Sequence, residues 1–164
     1  MAPVIGAEIG VFRGNLSYQL LSLMPNLTLY MVDRWCPYRE GEWIRRGYIA
    51  GGTHEVFEKW EAETREKVKG FGNRAIIIKS ESLVAADKFP LDFFDFVFID
   101  AIHVGNYVAM DINSWGPRVK PGGLICGHDY NPLRYPGLIE VVNKKFPESL
   151  EIDVDFTWFH RKPV

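Results

Sequence analysis

A chain of 164 residues, 47% apolar and 24% charged, is sized for one domain with a full core, and its net charge of −2 gives no global attraction for nucleic acid or anionic membrane. No apolar run reaches the ~20 residues of a membrane span, and the start carries no signal-peptide pattern, so the expected setting is cytoplasmic. Two cysteines, Cys36 and Cys126, make no disulfide framework, and Cys126 in its apolar run reads as a buried thiol.

The first element is an apolar run, Val4 to Ile9, with Glu8 near its end and Gly10 and Gly14 bracketing the turn that follows. Strand, glycine turn and helix are how open α/β sheets build a ligand crevice at the carboxyl end of their first strand. The spacing Glu8-x-Gly10-x-x-x-Gly14 is not the G-x-G-x-x-G of a dinucleotide site. A carboxylate there repels a pyrophosphate and suits a cation. S-adenosylmethionine, with an ammonium, a sulfonium and no phosphate, fits that demand; an ordinary strand-to-helix turn is the alternative.

Asn15 is placed to cap a helix from Leu16 to Leu23, stopped by Pro25. Leu27 to Val32 reads as the second strand, delivering Asp33 about 20 residues past Gly14, where a carboxylate can accept both hydrogen bonds of a ribose diol. A turn-forming Asp is the competing reading. Arg34 to Gly52 is a long irregular stretch rich in Trp, Tyr and Arg, read as a substrate-facing lid or as a contact with a second copy.

Thr53 opens a helix to about Lys69, with Val56, Trp60, Thr64 and Val68 four apart and Glu55/Lys59, Glu61/Arg65 and Glu63/Lys67 as favourable pairs. Ala75 to Ile78 reads as a fully buried parallel strand. Glu81 and Ser82 follow it, either facing the base end of a bound nucleoside or capping a helix.

Phe93 to Ile99 is the fourth strand and ends in Asp100. Val104, Val108, Ile112 and Trp115 mark the next helix, closed by Gly116-Pro117. Lys120 to Gly123 reads as a tight turn into a fifth strand, Leu124 to Gly127, which ends in His128-Asp129-Tyr130. A helix from about Tyr135 to Phe146 and an antiparallel hairpin across Leu150 to Arg161 complete the chain. The expected fold is α/β, doubly wound and Rossmann-like, with a mostly parallel seven-stranded sheet that gathers Glu8, Asp33, Asp100, His128 and Asp129 on one rim. His54 and His160 lack such company and read as surface or structural residues.

Together, Glu8-x-Gly10-x-x-x-Gly14, Asp33, Phe94 to Asp100 and Lys120-Pro121-Gly122-Gly123-Leu124 resemble the class I S-adenosylmethionine-dependent methyltransferases over Val4 to Tyr130. Within that class the chain looks most like small-molecule O-methyltransferases of the catechol and macrocin type, whose members commonly bind magnesium. The resemblance implies donor contacts from Glu8, Gly10, Gly14, Asp33, Glu81, Ser82 and Asp100. It implies a metal held by Asp100, His128 and Asp129, and catalysis by His103 as general base with Asp100. His128 departs from the all-oxygen set that magnesium prefers, so a softer divalent ion is the alternative.

Such relatives usually carry helices ahead of the first strand. This chain is expected to be one methyltransferase domain, 1–164, without them, its pocket covered by the Arg34–Gly52 loop or by a second subunit. The expected reaction is O-methylation of a hydroxylated small molecule, with no nucleic-acid or membrane partner. Base methylation is disfavoured, because Asp100-Ala101-Ile102-His103 lacks the Pro-Pro-aromatic element of amino methyltransferases. A non-catalytic donor-binding module and a hydroxylase-like relative are the remaining readings.

Overall fold

The computed structural model of the chain describes residues 2–37 and 53–164. Most of the loop read as a lid or contact, residues 38–52, lies outside the described residues.

Seven strands form a single sheet in the order β3-β2-β1-β4-β5-β7-β6. β1 (Val4–Ile9) lies between β2 (Leu27–Asp33) and β4 (Phe94–Ile99), parallel to both, because the glycine turn and the crossover helices return the chain in one direction. β3 (Ala75–Lys79) and β5 (Val119–Gly127) extend the parallel part on either side. β6 (Leu150–Ile152) and β7 (Trp158–Arg161) are the expected hairpin, and β7 pairs antiparallel with β5.

The helices divide between the two faces of the sheet. α1 (Asn15–Leu23) and α2 (His54–Val68) put Leu21, Phe57 and Val68 against Leu27, Leu29 and Met31. On the other face, α3 (Ser82–Ala86), α4 (Gly105–Trp115) and α5 (Pro136–Lys145) bring Ala85, Ile112, Trp115 and Val142 against Ala7, Val97 and Ile125. Along β2, Leu29 and Met31 join one core and Tyr30 and Val32 the other, the period-2 alternation of a strand covered on both sides. Among the described residues no helix is long and apolar enough to cross a membrane.

Several local expectations change. β3 is the sheet's edge, and Ala75 to Ile78 are half-buried, not enclosed. Asn15 does not cap α1: Gly14 holds that position, and Asn15 Oδ1 instead accepts from Lys67 Nζ at 2.6 Å. The helix pairs rearrange with it. Glu61 keeps Arg65 and adds Lys79, whereas Glu63 turns to Arg13, 2.6 Å away. Lys120 to Gly123 is not a turn between elements but an irregularity inside β5, where the pairing slips between Phe94↔Val119 and Phe96↔Leu124.

Candidate active site

The turn after β1 is built by close backbone contact. Gly10 N donates to Val32 O at 2.9 Å and Asp100 N to Ile9 O at 2.7 Å, which ties the ends of β1, β2 and β4 together. Gly10 has φ +94°, and a Cβ there would sit 2.2 Å from the carbonyl oxygen of Asp100, so this position requires glycine. Gly14, at φ +68°, serves a different purpose: its missing Cβ lets α1 approach Thr64 of α2.

Above these strand ends lies a cavity of about 340 Å³, with Gly10, Asp33, Glu81, Ser82 and Asp100 in its wall. Glu8, Gly14, His103, His128 and Asp129 do not line it. Asp33 is held rigidly, Oδ2 accepting from Phe12 N and Oδ1 from Trp35 N, each at 2.8 Å. Burial raises its carboxyl above the usual range, and those backbone N–H groups pull it back.

Glu8 is expected to face a cationic ligand, but its side chain is 2% exposed and outside the cavity wall, accepting a hydrogen bond from Ser17 Oγ. Burial, with Asp100 and Asp33 nearby, pushes its carboxyl up to about 8. Neither Glu81 nor Ser82 caps α3 by its side chain. Glu81 Oε1 is 3.4 Å from Arg34 Nε, and the Ser82 hydroxyl is engaged by Asp111 and Trp115.

Beside the cavity, Asp100 at the end of β4 meets Asp129, just past β5, across one imidazole. His103 Nε2 is 3.0 Å from Asp100 Oδ1 and 3.1 Å from Asp129 Oδ2, and its ring packs on Tyr135 with centroids 4.9 Å apart. One ligand atom from each of Asp100, His103 and Asp129 falls within 4.8 Å of the others. Of the expected trio of Asp100, His128 and Asp129, this cluster gathers Asp100 and Asp129 but not His128. His128 Nδ1 lies 3.3 Å from Asp129 Oδ1 but outside that cluster, while His103, three residues past Asp100, falls inside it.

Three contributors were not among the candidate site residues, although Trp35 falls in the stretch read as substrate-facing. Trp35, 2% exposed at φ +38°, donates Nε1 to Phe12 O at 2.8 Å and lines the cavity. Trp60 sets its edge against Phe12 at 4.6 Å between centroids. Asp111 is a carboxylate 5% exposed in the cavity wall. Its signal was present: Asp111 falls between Val108 and Trp115 on the apolar stripe of α4, where a charge is out of place.

A family model described as "Methyltransferase domain" matches residues 7–130. No curated protein matches the chain. Among solved structures, the calicheamicin methyltransferase CalS11 superimposes with TM-score 0.75 at 12% identity, covering 97% of this chain and 72% of its own. An assigned caffeoyl-CoA O-methyltransferase from Staphylococcus aureus gives 0.67 at 14%, covering 96% and 76%. An O-methyltransferase family protein from Burkholderia thailandensis gives 0.64 at 14%, covering 98% of this chain and 51% of its own. At such identities the likeness is one of fold.

Proposed function

The chain belongs to the methyltransferase-domain family, with the fold of class I S-adenosylmethionine-dependent methyltransferases, and from that premise we propose that it methylates a hydroxyl of a small molecule. The observation that carries this reading is the imidazole of His103 held between Asp100 and Asp129, immediately beside the cavity.

Methyl transfer from a sulfonium is an in-line displacement. The acceptor oxygen bonds to the methyl carbon as the carbon–sulfur bond breaks, its electron pair stays on sulfur, and the hydroxyl proton must leave. Positioning supplies much of such a rate. Asp33, fixed by Phe12 N and Trp35 N, retains lone pairs for the donor's ribose diol, and Gly10 leaves room for the donor's backbone-like end. Two carboxylates at Nε2 favour the tautomer with the proton on that atom, so Nδ1 carries the lone pair that takes the acceptor's proton. The same carboxylates stabilise the imidazolium that results.

Two carboxylate oxygens and one imidazole nitrogen within 4.8 Å of one another also fit a divalent cation. That mixed donor set suits manganese, iron, cobalt or zinc better than magnesium. Asp100, His103 and Asp129 would hold it, with His103 then a ligand in place of the base, and such an ion would lower the pKa of a coordinated hydroxyl.

The test is transfer of labelled methyl from S-adenosylmethionine to pools of hydroxylated small molecules, with and without divalent ions. Label in an ether product supports the reading. Label appearing only on amines or nucleic acid, with none on hydroxyls, refutes it.

A further inference from the structure

Of the sheet's two faces, one is covered only in part. Pairing in register sets Phe98, Cys126, Phe159 and Glu151 in one row across β4, β5, β7 and β6. Phe96, Leu124 and Arg161 form the next row toward the amino ends of β4 and β5. Paired residues share a face, and Phe96 shows which one, since it packs into the core under α1 and α2. That core stops there. Among the described residues, Phe98, Leu124 and Phe159 belong to neither core and stay half-buried. Val97, Ile125 and Trp158, on the other side of the same strands, are closed in with α4 and α5.

At the foot of the bare strands lies a groove of about 430 Å³, lined by Val4, Met24, Phe96 and Leu124, with Asp95 in its wall. The Asp95 carboxylate accepts from Ile5 N and Lys120 Nζ, each at 2.7 Å, and its side chain keeps 33% exposure. Arg161 stands at the rim of the groove. Its Nη1 donates to Gly122 O at 2.8 Å, and among the described residues its guanidinium has no ion-pair partner.

We propose that this face is the contact of a homodimer, in which two copies pack their bare strands together about a two-fold axis running along the strands between β5 and β7. α1 and α2 rise over β1 and β2 as a step. In this arrangement the step of each copy stands outside the free β6 edge of the other, and the two half-covered sheets close over each other. The face also carries both a cation and its receptor: Arg161 of each copy enters the groove of the other, beside Asp95 and over the ring of Phe96. A two-fold contact needs both halves on one surface, and this surface has them. Four strands about 4.8 Å apart, each contributing about 20 Å of length, give a face on the order of 400 Å² per copy, which sets the pair among weak, reversible dimers. The contact does not depend on the methyl-transfer reading.

The experiment is sedimentation equilibrium of the 164-residue chain across the micromolar range, where a reversible monomer–dimer equilibrium is expected. Phe159→Lys places a charge in the middle of the contact and should leave only monomer, with circular dichroism and thermal melting reporting that it is folded. Arg161→Met and Asp95→Asn should each weaken the dimer about tenfold or more. The double variant should weaken it no further than the stronger single one, because both substitutions remove the same contact. A wild type that is monomeric throughout overturns the inference, and so do higher oligomers in place of the dimer, since a two-fold contact closes on itself. A folded Phe159→Lys that still dimerises, or single effects that add in full, overturns it as well. Should Phe159→Lys fail to fold, the Arg161 and Asp95 variants decide alone.

Discussion

Glu8 is the sharpest place to test the energetics of this site. Its carboxyl is raised from 4.5 to about 8, chiefly by burial, with Asp100 and Asp33 adding to the rise and Ser17 opposing it. Between those values the folded chain keeps a proton that the unfolded chain has released. Stability therefore falls as pH rises from about 4.5, and the loss is complete above about 8. A shift of this size corresponds to something on the order of 5 kcal/mol, a large share of the roughly 5–15 kcal/mol that holds a typical domain folded. Glu8→Gln removes the titration while its amide oxygen still accepts from Ser17. Urea unfolding of both proteins from pH 5 to pH 9 should show nearly equal stability at pH 5. The variant should then gain steadily on the wild type, by a few kcal/mol at pH 9. Two curves that stay parallel within about 1 kcal/mol across that range would refute the argument that burial governs this group.

Three further outcomes are expected. Gly10→Ala places a methyl 2.2 Å from the Asp100 carbonyl at φ +94°, so it should cost more than about 3 kcal/mol or abolish donor binding, read by thermal melting and calorimetry. Asp33→Asn should keep the fold but weaken S-adenosylmethionine binding roughly ten- to a hundred-fold by removing one charged acceptor, and equal affinity would free Asp33 from the ribose. His103→Ala should lower kcat by about two to four orders of magnitude while the donor Kd hardly moves; a change in Kd with kcat intact would reassign it to binding.

The sheet was largely legible because its strands are short apolar runs with an acid or glycine at the end, and helical spacing separates them. Asp33 and Asp100 could be placed on one rim for the same reason, since strand ends in a parallel sheet share a side. Side-chain direction was not legible. Glu8 and Ile9 are adjacent on β1, yet only Ile9 reaches the cavity, because alternate strand residues point to opposite faces. That His103, and not His128, joins Asp100 and Asp129 was equally hidden. The loop after Asp100 bends back on its own strand end, and no periodicity reports where an irregular loop returns. The network of Ser82, Asp111 and Trp115 joins two helices far apart in sequence, and only Asp111 on an apolar stripe hinted at it.

The pairing of β7 with β5 has a consequence for how the protein is made. Gly127, next to His128 and Asp129, pairs with Trp158, so about thirty residues must still be translated before that strand finds its neighbour. Until then, one half of the charged cluster hangs on an open edge while β1, β2, β3 and β4 can already assemble. A nascent chain on the ribosome would thus complete the rim that carries Gly10, Asp33, Asp100 and His103 first and add Asp129 later.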